Sequence, residues 1–381
     1  MKVHASRFFV LSSCFRLRRR LRRTSPKRVA RRRAGSVRGS GFAVLCSVAL
    51  AACGGSPPPS SSGPRIVERA HLSMGSEVRI SAWTEDEQRA VHALDNAFAE
   101  FDRLDRLLSV WQTGSDVSRL NQAAGRNAVA VSPETLEVLR TAQEISEWTG
   151  GKFDVTFGAL SGLWKFDHDQ DNQIPSMDEV RRRLPLVDFR ALELDPVKQT
   201  AFLRRPGVRV HLGGIGKGFA VDRAAAILRE KGITDFLIQS GGDLYAGGRR
   251  GGRPWRTGIR DPRGPADRVF AAMNLENETF STSGDYERFF MKDGQRYHHI
   301  LDPDEGAPAR GCRSVTIVSR QAVLADGLST GVFVLGPEAG MALIERLPHV
   351  EGVIVTSSNE VLVSKGLMGR LEQRGAPTDA P

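Results

Sequence analysis

"VHLGGIGKGFAVDRAAAILRE", residues 210–230, puts four glycines, Gly213, Gly214, Gly216 and Gly218, between a strand-like run and a helix expected over Asp222–Glu230. Turns of this kind can cradle phosphates, because bare backbone N–H groups approach an anion closely and a helix N-terminus favours negative charge. The two nucleotide templates nevertheless fail. The spacing is not G-x-G-x-x-G, and Lys217 is followed by Gly218 where a P-loop needs Ser or Thr. The stretch therefore supports tight packing as well as it supports a nucleotide, and it does not by itself announce a doubly wound fold.

The flanking pattern decides against that fold. Ile66–Ser81 reads as a strand, and the stretch after it carries Ala93, Phe98, Phe101, Leu104 and Leu108 on one helical face. A second helix is expected over Pro133–Trp148, with Ser132 as N-cap and Gly150 as its stop. Further helices are expected over Ala325–Leu335 and Pro337–Leu347, and "FLIQSG", "WRTGIR", "SVTIVS" and "VEGVIVTS" read as short strands. Strands and helices mix without βαβ alternation, so the expected class is α+β.

The 381 residues carry a formal charge of +10, unevenly placed. Of 54 Lys and Arg, 14 lie in residues 1–53, which hold no acid; the remaining 40 face 44 Asp and Glu. The body is mildly acidic, which removes the main support for a nucleic-acid partner. Residues 1–53 read as an export signal: a basic region, the apolar "GFAVLCSVALAA", then Cys53 after Leu-Ala-Ala. Twelve apolar residues are too few to span a bilayer. Leu-Ala-Ala-Cys resembles the bacterial lipobox, which implies cleavage before Cys53 and lipidation of its thiol, with an ordinary secretory cleavage site as the alternative. Residues 54–65, "GGSPPPSSSGPR", form a flexible tether of roughly 20 Å. Cys312 is then the one cysteine left in the body beyond the lipidated one, so no disulfide framework is expected.

Eight separated stretches share a further likeness. "MGSEVRI", "LSVWQTGSDVSRLN", "GGKFDVTFGALSGLW", "HLGGIGKGFAVDRA", "SGGDLYAGG", "TSGDYERFF", "HHILDPDEG" and "ADGLSTGVFVLG" stand in the order found in the ApbE family, which the chain from about Met74 to Val363 resembles. The resemblance implies mixed or antiparallel sheets packed against helices, with the family domain over residues 66–369 and a disordered tail over 370–381. It also implies an activity, FAD:protein FMN transfer. FMN would move from FAD onto a Thr or Ser hydroxyl of an exported target protein through a phosphodiester, releasing AMP, with Mg²⁺. Such a lipoprotein would sit on the periplasmic side of the inner membrane. FAD hydrolysis to FMN and AMP, or FAD binding without catalysis, are the competing readings.

Site candidates follow residue by residue. Asp326 and Thr330 stand four apart and share one helical face, and a carboxylate with a hydroxyl suits Mg²⁺; alternatively Asp326 only caps its helix. The resemblance assigns both to the metal, with the Gly216 carbonyl as a third ligand. It matches Met74, Trp111, Phe153, Asp154, Thr156, Gly213, Phe219 and Ile300 to positions that hold the flavin nucleotide; for Trp111 a core role, and for Asp154 a turn cap, stay open. His299, in H-x-x-D-P, is the candidate general base, with Asp302 to orient it and His298 pointing elsewhere. Lys217 either adds positive charge to the site or is solvated. His211 stands where Asp is common in the family.

Overall fold

The computed structural model describes residues 63–166 and 169–380; the leader, Cys53 and most of the tether lie outside them. Among the described residues there are seven α-helices: α1 (Glu87–Leu108), α2 (Asp116–Gln122), α3 (Pro133–Trp148), α4 (Met177–Arg183), α5 (Gly216–Glu230), α6 (Ala322–Leu335) and α7 (Pro337–Arg346). Around them runs an eight-stranded sheet whose spatial order follows the chain: Arg65–Ser73, Ser76–Thr84, Phe236–Ser240, Asp243–Gly247, Glu278–Gly284, Cys312–Ser319, Glu351–Thr356 and Val361–Val363. Every neighbouring pair in it is antiparallel. The class is α+β, as expected.

Period-two alternation explains the layers. Tyr245, Ile317 and Ile354 point into the core shared with the helices. Their neighbours Leu244, Ala246, Val318, Val353 and Val355 point to the opposite side. There they meet Trp255, Ile259, Phe270 and Met273 of a three-stranded sheet built from Trp255–Arg260, Val269–Leu275 and Glu372–Gln373. The central strands of the main sheet are thus covered on both faces, which is why Asp243–Gly247, Cys312–Ser319 and Glu351–Thr356 are buried almost throughout, whereas the edge strand Arg65–Ser73 is largely exposed.

Helices α1, α3 and α7 lie where capping signals put them. Asp86 accepts from Arg89 N–H at the start of α1, and Ser132 accepts from Thr135 N–H at the start of α3. Gly150 follows α3 at φ 64°, a conformation that glycine adopts without strain.

Four expectations change. The single strand over Ile66–Ser81 is a hairpin that turns at Met74 (φ 50°) and Gly75 (φ 73°). A two-residue turn with both φ positive is the primed type that matches strand twist, but Met is an unusual occupant, so the sequence carries no clear turn signal there. Helix α5 starts at Gly216, six residues before Asp222, and absorbs half of the glycine-rich turn. Arg65 belongs to the first strand rather than the tether. The tail is not disordered: Glu372 and Gln373 pair with Ala272 and Ala271, and Thr378 bonds Asp261 through its N–H and hydroxyl.

Gly218 shows what one glycine of the turn is for. A Cβ there would lie 2.7 Å from Asp326 Cβ and closer still to the Ala322 carbonyl oxygen, so α5 and α6 cross at a separation that only hydrogen allows. Gly218→Ala is expected to cost about 1–3 kcal/mol, the usual range for overpacking. Urea unfolding measures this, and an unchanged midpoint would mean that the two helices do not touch here.

Candidate active site

The α5–α6 crossing brings two carboxylates and an ammonium together. Asp326 is the fifth residue of α6, whose N-cap is Gln321, so the reading of Asp326 as a cap for its own helix fails. Its Oδ2 instead accepts the Gly218 N–H of α5 at 2.9 Å. Lys217 Nζ lies 3.6 Å from Asp326 Oδ1 and 3.0 Å from Asp243 Oδ2. The Lys217 side chain is 25% exposed, against 2% for Asp243 and 5% for Asp326, so a partly exposed side chain brings its ammonium down to two buried acids. Lys217 is therefore part of the site rather than a solvated lysine.

Burial raises the Asp326 carboxyl above its ordinary range, and Asp243 nearby raises it further against the pull of Lys217. Burial alone would lower the Lys217 ammonium, but the charges of Asp243 and Asp326 outweigh it and raise the group. Two carboxylates share this one ammonium, and the charge of Arg288 also reaches Lys217.

A chain of hydroxyls joins the acids from below. Ser281 donates to Asp243 Oδ1. Ser329 Oγ lies 2.8 Å from Ser283 Oγ, which lies 3.1 Å from Thr330 Oγ1. Ser329 also donates to the Asp326 carbonyl at 2.9 Å. Asp243 Oδ2, by contrast, is buried and has no hydrogen bond of acceptable geometry, only the nearby ammonium. Sequence reasoning missed Asp243 and Ser329. The signal for the first was present, a lone acid between Gly-Gly and an apolar strand in "SGGDLYAGG".

This donor set fits a hard cation. Among the described residues no group of three or more His, Cys, Asp or Glu side chains gathers, so a metal here would rest mainly on carboxylate, hydroxyl, carbonyl and water oxygens. Mg²⁺ prefers such ligands, whereas structural zinc needs Cys or His. The buried Asp243 oxygen, with only the Lys217 ammonium beside it, points the same way.

The other candidates fall into three groups. Met74, Phe153 and Gly216 surround the crossing: a Cβ on Gly216 would meet Met74 Cε at 3.7 Å, and one on Gly214 would meet Phe153 and Thr330 Oγ1 at 3.4 Å. Phe219 and Ile300 are buried in the main core, and Gly213 donates its N–H to His211 Nδ1 at 3.0 Å. Trp111 is 71% exposed and lines a cleft of about 220 Å³ with Asn121 and Arg209, which removes the core reading for it. Asp154 borders a second cleft of about 350 Å³ with Asp188, Phe189 and Pro303. Its Oδ1 accepts from the Thr156 N–H and hydroxyl and its Oδ2 from the Phe189 N–H, so the turn-capping alternative describes its bonding. Burial pushes this carboxyl up to about 6.

The adjacent histidines separate cleanly. His298 Nε2 donates to the Ala309 carbonyl at 2.8 Å and the ring packs edge-on against Phe333. His299 Nδ1 faces the Arg288 carbonyl at 3.3 Å. A carbonyl only accepts, so this nitrogen carries the proton and Nε2 keeps a lone pair. Burial, then the charges of Arg288 and His298, push His299 down to about 3; Lys217 acts in the same direction, which ties the ring to the carboxylate site. Asp302 does not orient it, because its carboxylate is paired with Lys152 at 2.8 Å. Asp285, next to Ser283, is likewise held by Arg263 at 2.6 Å. Burial pushes the Cys312 thiol up to about 12, as befits an inert structural cysteine.

Comparison with known proteins places this geometry. A profile described as the ApbE family matches residues 74–354. The chain is 31% identical over 344 residues to the FAD:protein FMN transferase of Treponema pallidum, covering 86% of this chain and 93% of that one. It is 30% identical over 301 residues to a Klebsiella pneumoniae protein of the same name, covering 79% and 92%. Among solved structures, the ApbE protein of Thermotoga maritima superposes with a TM-score of 0.74 at 32% identity, over 80% of this chain and 99% of that one. The flavin transferase ApbE of Vibrio cholerae gives 0.73 at 27% identity, over 81% and 99%. With the helix crossing, the antiparallel sheet and the sequence match in agreement over most of its length, the chain belongs to the ApbE family.

Proposed function

We propose that the protein is an FAD:protein FMN transferase. It would take FAD and an exported acceptor protein, join FMN through a phosphodiester to a Thr or Ser hydroxyl of that acceptor, and release AMP. The observation that carries this reading is the oxygen-rich cluster of Asp326, Thr330 and Asp243 about Lys217, with a neutral histidine that feels the Lys217 charge.

The reaction breaks one P–O bond of a diphosphate and forms another. The acceptor hydroxyl oxygen attacks the FMN phosphorus, the bridging oxygen leaves with AMP, and the hydroxyl proton has to go to a base. His299 Nε2 is available for that proton, since the Nδ1 proton is turned to the Arg288 carbonyl. Asp326, Thr330 and the Gly216 carbonyl, a first-turn group with a second lone pair, would hold Mg²⁺. When bound, the ion neutralises charge growing on the diphosphate oxygens. Trp111, with most of its surface open, offers a plane on which a flavin or adenine ring can stack. The leader supports an exported lipoprotein anchored through Cys53, with the tether keeping the body near the periplasmic face of the inner membrane.

The decisive experiment mixes the body with FAD, Mg²⁺ and an exported acceptor carrying a Thr-containing segment. Intact-protein mass spectrometry and AMP release are followed together, with EDTA as control. Acceptor labelling that matches AMP supports transfer; AMP without labelling supports hydrolysis; FAD binding with neither product supports a binder. Asp326→Ala is expected to abolish AMP release, and full activity in that variant would remove the metal assignment. His299→Asn is expected to slow transfer by about 10²–10⁴-fold, the usual share of general-base catalysis, and normal turnover would place the base elsewhere.

A pH profile adds an independent check. The reactive form of His299 is the neutral ring, and a group held at about 3 stays neutral until the pH falls through that value. The kcat/KM profile, which reports the free enzyme, should therefore show no acid limb that belongs to His299; a limb near neutral pH that persists in His299→Asn belongs to the raised Asp326 carboxyl, and one that disappears in that variant would contradict the assignment. Cys53→Ser should abolish lipid labelling of the full chain, and persistent labelling would refute the lipobox.

A further inference from the structure

Asp326 has two oxygens, and their partners differ in kind. Oδ2 is committed to the Gly218 N–H, a bond that also fixes the helix crossing. Oδ1 faces Lys217 at 3.6 Å, so the oxygen left for a cation is the one that the ammonium already contacts. Lys217 in turn is held more closely by Asp243, at 3.0 Å. Asp243 is fixed through its other oxygen by Ser281, and its Oδ2 makes no other bond.

From this we infer that Lys217 is a displaceable counter-ion of Asp326, retained by Asp243, and that a divalent cation arriving at Asp326 exchanges with it. The inference rests on the metal reading given under the proposed function. The charges favour exchange over simple addition. An ammonium and a divalent ion on one carboxylate oxygen would stand a few ångströms apart in a poorly solvated pocket, where like charges repel strongly. Of the three side chains only that of Lys217 is partly exposed, so it is the one with room to give way. Released from Asp326 but anchored near Asp243, the ammonium is left beside the space where the diphosphate oxygens of the substrate would lie. It then serves as a positioning group whose charge is exchanged rather than wasted.

The test is Mg²⁺ binding by calorimetry, with melting in EDTA, on the wild-type body, Lys217→Met and Lys217→Met/Asp243→Asn. The double variant removes one charge of each sign, so its net charge equals that of the wild type while the ammonium that competes at Asp326 is gone; any oxygen that Asp243 lends to the cation is lost as well, which can only weaken binding. At least tenfold tighter Mg²⁺ binding by the double variant, together with slower transfer, is expected. Lys217→Met alone should melt lower in EDTA, because it leaves two buried carboxylates uncompensated, and should regain stability with Mg²⁺. Should it fail to fold, the double variant carries the comparison. Wild-type affinity in the double variant would overturn the exchange and leave the transferase reading standing, whereas a wild-type protein that binds no Mg²⁺ would overturn both.

Discussion

Helices α5 and α6 begin without side-chain caps of their own: Ile215 and Gln321 occupy the N-cap positions and neither makes a capping bond. Each helix is capped by an acid from the other. Asp326 of α6 accepts the Gly218 N–H of α5, and Asp222 of α5 accepts the Ala322 and Val323 N–H groups of α6. Exposed helix N-termini carry orphan donors and partial positive charge, so two such ends buried together would be costly without acceptors. The reciprocal arrangement satisfies both, and it works only because Gly218 lets the helices approach. Everything at the site is placed from this crossing.

Reciprocal capping has an electrostatic consequence. Burial raises Asp222 to about 6 and raises Asp326 as well, so both acids are held in the structure at some cost to their ionised forms. Asp222 is compensated by two backbone donors. Asp326 has one, and depends on Lys217 for the remainder. The difference leaves Asp222 satisfied by backbone alone and Asp326 in need of a cationic neighbour, here Lys217. The sheet supplies the second half of the pocket, since Asp243, Ser281 and Ser283 come from neighbouring antiparallel strands.

Local chemistry explains what was legible in the sequence. Helices α1, α3 and α7 carry their own starts, in Asp86, Ser132 and Pro337, and they were found within a residue or two. Helix α5 has no such mark: its first turn is glycine-rich and its cap comes from residue 326, more than a hundred positions away. The hairpin at Met74 was missed because a methionine gives no sign of positive φ, and the last strand because its support, Asp261 and Phe270, is remote in sequence. Asp326 and Thr330 were legible as a pair, since four residues on a helix guarantee a shared face. Asp243 is marked in the sequence only as a lone acid beside an apolar strand; its pairing with Lys217 is not legible there, because only the folded sheet brings the two together.

The aromatic candidates show how far motif matching separates from geometry. Phe153 is almost fully buried, and Gly327 and Gly331 of α6 lie against it: a Cβ would meet its ring at 3.6 Å from Gly327 and its Cβ at 3.1 Å from Gly331, with Ile145 and Thr149 closer still. Together with Ile145 and Thr149, it sets the height of the helix that carries Asp326 and Thr330. Trp111 has most of its indole open beside a polar cleft and contributes little to the core. One aromatic packs against the helix that carries Asp326 and Thr330, and the other leaves an open surface beside a cleft. The packing role of Phe153 requires α6 to keep its glycines, just as the crossing requires Gly218. The small residues that first suggested a phosphate cradle thus act largely by letting large or charged neighbours reach Asp326.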